Sequence, residues 1–277
     1  MGKVIGIDVG GTKIKGGRFT DGYLEKTAKN PTAGDVSRES VIAAIRKTIE
    51  ALWTKDIEKI GIVSAGDIDP VSGVCILAYN IKGWTGCPIK DIFESLYHVP
   101  VYVENDAIGA LYGEMSMIKE KKNVTMLTFG TGVGGASIIN GVLSRSSDTA
   151  WGHVVMVPNG LSCSCGKKGC AEMYLSANAL FQNAKEKIPE LTSTVELDRL
   201  YGAKDSRAIA LMNDYAAKLN LFLNQIENTV HPSLIILGGG LMGARMMKGL
   251  IALPKDQYSF AQLGNQAGIV GASLLPY

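Results

Sequence analysis

Lys3-Val4-Ile5-Gly6-Ile7-Asp8-Val9-Gly10-Gly11-Thr12-Lys13 opens the chain. Lys3 to Val9 reads as a buried strand, an apolar run that ends in a glycine turn. Ile14 to Phe19 returns as its hairpin partner. After a polar break at Glu120-Lys121-Lys122-Asn123 the same pattern begins again. Val124 to Phe129 is a strand, Gly130-Thr131-Gly132-Val133-Gly134-Gly135 a glycine turn, and Ala136 to Ile139 the returning strand. Two lobes that each begin with strand, Gly/Thr turn and strand predict a duplicated α/β architecture with a cleft between them.

Between and after these hairpins the periodicity alternates. Glu39 to Trp53 repeats Val41, Ile42, Ile45, Ile49, Leu52 and Trp53 at helical spacing. Ile57 to Ser64 is an apolar strand closed by Ala65-Gly66-Asp67. Pro100 to Val103 is a short strand that leads into Glu104-Asn105-Asp106, and Ala107 to Ile118 is a helix that Asn105 or Asp106 would cap. Asn213 to Asn228 reads as a helix, and Ser233 to Leu237 as a strand ending in Gly238-Gly239-Gly240.

The balance of 28 Lys and Arg against 26 Asp and Glu leaves a net charge of +2 with no basic block. A phosphate-neutralising surface for nucleic acid is therefore disfavoured. The 277 residues, 46% hydrophobic, are enough for a large core and about two domains. No apolar run approaches the ~18 residues a membrane span needs. The first residues show no secretory pattern, so the expected compartment is the cytoplasm, where reduced or metal-bound thiols persist.

Three motifs carry chemistry. Asp8 to Lys13 joins a carboxylate, a glycine turn, a hydroxyl and an amine. Backbone N–H groups in such a turn bind phosphate oxygens, and Asp8 would hold a water on Mg²⁺. The pattern is neither the Walker nor the dinucleotide fingerprint, and alone it fits an ordinary hairpin equally well. Its pairing with Thr128 to Gly135 and with Gly238 to Gly240 favours a nucleotide. Asn105-Asp106 sits between strand and helix, where an open α/β sheet faces its ligand crevice. It is either a helix cap or a general base for a hydroxyl with an orienting neighbour. The third motif is His153 followed by Cys163-Ser164-Cys165-Gly166-Lys167-Lys168-Gly169-Cys170. One His and three Cys complete the tetrahedral set of a closed, structural zinc site, with no position left for a catalytic water. A reduced thiol cluster or a redox pair is the alternative.

Together these motifs resemble the ROK family of sugar kinases and sugar-responsive repressors, in the actin-like/ribonuclease H-like ATPase fold. Asp8 to Lys13 is similar to the family's first phosphate motif, Glu104-Asn105-Asp106-Ala107 to its catalytic motif, and Leu127 to Gly135 to its second phosphate motif. Gly152-His153 with Cys163-x-Cys-Gly-x-x-Gly-Cys170-x-Glu172 resembles its zinc signature, and Leu237 to Gly240 its adenosine motif. Gly264 to Gly268 resembles the segment before a last helix that returns to the first lobe. The implied lobes are 1–119 with the returning helix at about 266–277, and 120–265.

The resemblance implies an ATP-dependent hexose kinase, glucokinase-like, acting at the 6-hydroxyl with Asp106 as base. It implies that Asn80, Asn105, His153 and Glu172 bind sugar, His153 offering one ring nitrogen to zinc and the other to the substrate. Asp8, Gly10, Gly11, Thr12 and Lys13 would serve Mg²⁺ and phosphates, joined by Gly130, Thr131 and Gly132, with Gly238, Gly239 and Gly240 at the adenosine. A homodimer is implied as well. Read alone, Asn80 is a plain turn residue and Glu172 a surface carboxylate.

Two departures lie on the sugar side. Ala150 stands where the family has a Glu two residues before Gly152-His153, and Ser64-Ala65-Gly66-Asp67 replaces a Pro-Gly loop. Loss of one charged acceptor is worth roughly 1.5–3 kcal/mol, so an N-acetylhexosamine such as N-acetylmannosamine is an alternative substrate. A non-catalytic sugar-sensing regulator is the alternative of another class. The repressors carry a DNA-reading segment before the first phosphate motif, which here starts at residue 8.

Overall fold

The computed structural model describes residues 2–10, 13–32, 37–78, 81–118 and 122–275. The chain divides into two compact units, 1–119 with 265–277, and 120–264.

The first unit is built on β1 (Lys3–Val9), β2 (Lys13–Thr20), β3 (Tyr23–Pro31), α1 (Arg38–Leu52) and β4 (Ile57–Ser64). It continues through the short β5 (Asp67–Asp69), β6 (Val74–Leu77) and β7 (Cys87–Pro88), then α2 (Ile89–Tyr97), β8 (Val101–Asn105) and α3 (Asp106–Met115). The main sheet runs β3-β2-β1-β4-β8. β1, β4 and β8 are parallel, and β2 and β3 return antiparallel. β1 is apolar because it is central: Ile5, Ile7 and Val9 are fully buried. α1 starts at Ser37, whose side chain accepts from Ser40 N–H while the Ser40 hydroxyl accepts from Ser37 N–H. Its buried stripe is Val41, Ile45, Thr48, Ile49 and Leu52, the period read from the sequence.

The second unit holds β9 (Val124–Phe129), β10 (Val133–Ile139), β11 (Val142–Leu143), α4 (Glu172–Leu175), α5 (Ala177–Lys187), α6 (Thr194–Gly202), α7 (Ser206–Val230), β12 (Leu234–Gly238) and β13 (Tyr258–Phe260). Its sheet order is β11-β10-β9-β12-β13, with β12 parallel to β9. α7 buries Leu219, Phe222, Leu223 and Ile226 in this unit's core, as the sequence periodicity requires. It begins seven residues before the Asn213 expected, because Asp205 caps it through Arg207 and Ala208 N–H.

The last helix, α8 (Ala267–Ser273), belongs to the first unit and packs on α3, β1 and β4. The fit is close: a Cβ on Gly271 would lie 1.7 Å from Gly109 O. Among the described residues no helix is long and apolar enough to cross a membrane.

Candidate active site

Parallel pairing places Val9, Ser64 and Asn105 in one row across β1, β4 and β8. The carboxyl ends of these strands therefore share one edge, where an open α/β sheet presents its ligand groups. Asp8 lies on that edge and Asp106 follows it directly.

Asn105, not Asp106, is the cap of α3. Its Oδ1 accepts from Ala107 N–H at 2.9 Å and from Ile108 N–H at 3.2 Å. Its Nδ2 donates to Gly66 O at 2.8 Å, which ties the cap to the loop after β4. Asp106 is thus the first residue of the helix, held at a fixed place with its Oδ1 2.9 Å from Ala107 N. Burial pushes its carboxyl up to about 6, and the nearby Asp8 charge adds to the rise. A carboxylate tuned to that range accepts a proton readily near neutral pH.

The first hairpin is closed by Gly10 N–H donating to Lys13 O at 3.1 Å. Gly11, Thr12 and Asn80 lie outside the described residues. Lys15, which the sequence reading passed over, faces Asp8: Nζ is 3.3 Å from Oδ2. The signal was available, since Lys13 and Lys15 alternate onto one face of β2 and Lys15 is the register partner of Asp8.

In the second unit the Gly130-Thr131-Gly132 turn is closed by Gly130 N–H donating to Gly132 O at 2.9 Å. Gly238 pairs beside Thr128, so Gly239 and Gly240 emerge at the same end of the sheet as that turn. Gly239 has φ +87°, and a Cβ there would lie 2.4 Å from Phe129 O. The position admits no side chain. Leu241 N–H donates to Phe129 O at 3.0 Å, which fixes the crossing.

His153, Cys163, Cys165 and Cys170 place their ligand atoms all within 4.8 Å of one another. His153 Nδ1 is 3.6 Å from Cys163 Sγ, and Cys165 Sγ is 3.6 Å from Cys170 Sγ. A disulfide would need about 2.05 Å. A zinc tetrahedron with bonds of about 2.3 Å separates its sulfurs by about 3.8 Å. Burial and the Cys165 and Cys163 thiols push Cys170 up to about 12. Burial also raises Cys165, but the Lys167 amide and the Cys163 and Cys170 thiols outweigh it, leaving Cys165 below the ordinary value. Thiols packed this closely ionise together only beside a cation, so the donor set fits zinc. His153 turns Nδ1 to the cluster. Glu172 follows Cys170 by two residues at the start of α4, and its Oε2 accepts from Val133 N–H at 2.9 Å. Ala150 is exposed, and its carbonyl accepts from His153 N–H at 2.8 Å.

The ROK family profile matches residues 4–276. A glucokinase of Streptomyces coelicolor is 33% identical, over 99% of this chain and 97% of that protein. An N-acetylmannosamine kinase of Vibrio vulnificus is 29% identical, over 88% of this chain and 84% of that one. The crystal structure of a ROK family glucokinase from Streptomyces griseus in complex with glucose and AMPPNP superposes with a TM-score of 0.83 at 30% identity, covering 98% of each chain. The fold is that of the actin-like ATPases. By profile, sequence and structure alike, the chain belongs to the ROK family.

Proposed function

We propose that this protein is an ATP-dependent sugar kinase that phosphorylates a hexose, at its 6-hydroxyl, with Asp106 as general base. The observation that carries the reading is Asp106 itself: a carboxylate fixed at the first position of α3, held by the Asn105 cap, its pKa raised to about 6. Phosphoryl transfer asks the protein for a positioned nucleophile, one proton acceptor and neutralised phosphate charge. In the first unit Asp106 accepts the hydroxyl proton while Asn105 and Asn80 orient the sugar. Asp8, Gly10, Gly11, Thr12 and Lys13 serve the phosphates, and Lys15 joins them through Asp8. Asp8 would hold magnesium, which when bound would supply charge neutralisation at the phosphates.

In the second unit Thr131 and Gly132 offer backbone N–H groups and Thr131 its hydroxyl to phosphate oxygens, on a turn that Gly130 N–H closes. Gly240, with open space where a side chain would stand, leaves room for the adenosine at the end of the Gly238–Gly239 crossing. His153 has Nδ1 committed to the metal cluster, which leaves Nε2 for a sugar hydroxyl. Glu172 Oε2 is taken by Val133 N–H, which leaves Oε1. His153, Cys163, Cys165 and Cys170 would hold zinc as a structural ion, because one His and three Cys make up the full donor set of a closed site.

A second reading of the substrate rests on Ala150. With a methyl group where the family has a carboxylate, one charged acceptor is missing and space opens beside the sugar. That favours an N-acetylhexosamine such as N-acetylmannosamine over glucose. ADP release across a panel of hexoses and N-acetylhexosamines tests both readings. Sugar-dependent ADP release that Asp106→Asn abolishes supports the kinase. Sugar binding without ADP release from any of them contradicts it in favour of a sugar sensor.

A further inference from the structure

Glu172 is bonded to the glycine turn as well as being part of the zinc loop. Its Oε2 takes the N–H of Val133, the residue that ends the turn and opens β10. A Cβ on Gly132 would lie 2.3 Å from the same oxygen, so a side chain there would displace the Glu172 carboxylate from this bond. The turn is fastened on its other side too. Ala177 N–H donates to Gly130 O at 2.7 Å, and Gly152 packs so closely on Val133 O that a Cβ there would lie 1.8 Å away. Two of the three anchors adjoin the metal-cluster residues: Gly152 precedes His153, and Glu172 follows Cys170 by two residues.

We propose that Glu172 is a positioning residue that holds the Gly130–Gly132 turn in its phosphate-binding shape, so that the zinc loop shapes the nucleotide site as well as the sugar site. The proposal rests on the reading of that turn as a phosphate site. A glycine-rich turn loses much conformational freedom when it is ordered. A carboxylate on a backbone N–H is a strong tether for such a turn. Ordering the turn before the nucleotide arrives lowers the entropy cost of binding.

The test uses zinc-loaded Glu172→Ala and Glu172→Gln, with three measurements made without sugar. These are zinc content, hydrogen-exchange protection of the Val133 amide, and the Kd of a non-hydrolysable ATP analogue with Mg²⁺. Glu172→Ala is expected to keep its zinc, lose Val133 protection and bind the analogue about tenfold more weakly. Glu172→Gln, whose amide oxygen still accepts, is expected to keep the protection and stay within about threefold of wild-type affinity. Wild-type protection at Val133 in Glu172→Ala overturns the positioning role. Lost protection with wild-type affinity overturns its link to the nucleotide, and Thr131→Ala then tells which premise failed. Undiminished affinity in Thr131→Ala means that the turn is not the phosphate site. Weakened affinity means that the turn is the site and keeps its shape without Glu172.

Discussion

Lys15 and Asp8 are direct partners across the first hairpin, with the ammonium 3.3 Å from Asp8 Oδ2. Lys15 Nζ also reaches Asn265 O at 3.1 Å, just before α8. The pair is partly exposed, so it adds little to stability by itself. Its consequence is electrostatic: it offsets the charge of Asp8, which in turn raises Asp106.

Lys15→Met is therefore expected to move the acid limb of the kcat/KM profile to higher pH, since Asp8 would repel the Asp106 carboxylate without compensation. A profile superimposable on wild type would show that Lys15 does not influence the base.

The Asp106 carboxyl is raised from 3.8 to about 6. If its ionised form is the base, kcat/KM falls about tenfold per unit below pH 6 and levels off above pH 7. Asp106→Asn should lower kcat by about 10²–10⁴-fold while sugar and zinc still bind. The same shift has a sign for stability. The folded protein holds this proton more tightly than the unfolded chain does, so the stabilisation is complete below about 3.8 and is lost as pH rises through about 6. Asp106→Asn, always neutral, should melt above wild type at pH 8, with the gap closing toward pH 4. Thermal scans at both pH values check this.

Cys165→Ser removes one of the four donors of the Cys/His cluster. Substoichiometric zinc and a Tm lower by about 5 °C or more are expected, on a loss of about 2 kcal/mol or greater. Metal analysis beside calorimetry checks both, and a metal-free variant with unchanged Tm would exclude a structural metal.

The strands that hold the site were legible because burial on both faces writes itself as an apolar run: Lys3–Val9, Ile57–Ser64 and Val124–Phe129 have the bounds the sequence gives. β3 was not legible, because Tyr23–Pro31 is an exposed edge strand of mixed polar residues with no clear alternation. α2 was hidden by its shortness and by Pro88 at its start. In the site, the Cys/His cluster showed through its spacing alone. The bond from Glu172 to Val133 joins residues 39 apart, and no local pattern records it.

Gly239→Ala should destabilise the second unit by more than about 1 kcal/mol, because φ is +87° and the new Cβ would meet the Phe129 backbone. Denaturant unfolding gives the value. A cost below a few tenths of a kcal/mol would mean that the segment relaxes freely.

Ala150→Glu would place a charged acceptor beside the proposed sugar site. It should shift preference toward glucose, with a gain in glucose kcat/KM of about tenfold or more. Competition assays with paired sugars measure the ratio, and an unchanged ratio would remove position 150 from specificity.

The most direct test is coupled ADP release with Mg·ATP against glucose, mannose, fructose, allose, N-acetylglucosamine and N-acetylmannosamine, for wild type and Asp106→Asn side by side. The account predicts that one sugar is clearly preferred and that its signal falls at least about a hundredfold in Asp106→Asn. Turnover in Asp106→Asn within about tenfold of wild type, or sugars that bind without any ADP release from wild type, would contradict it.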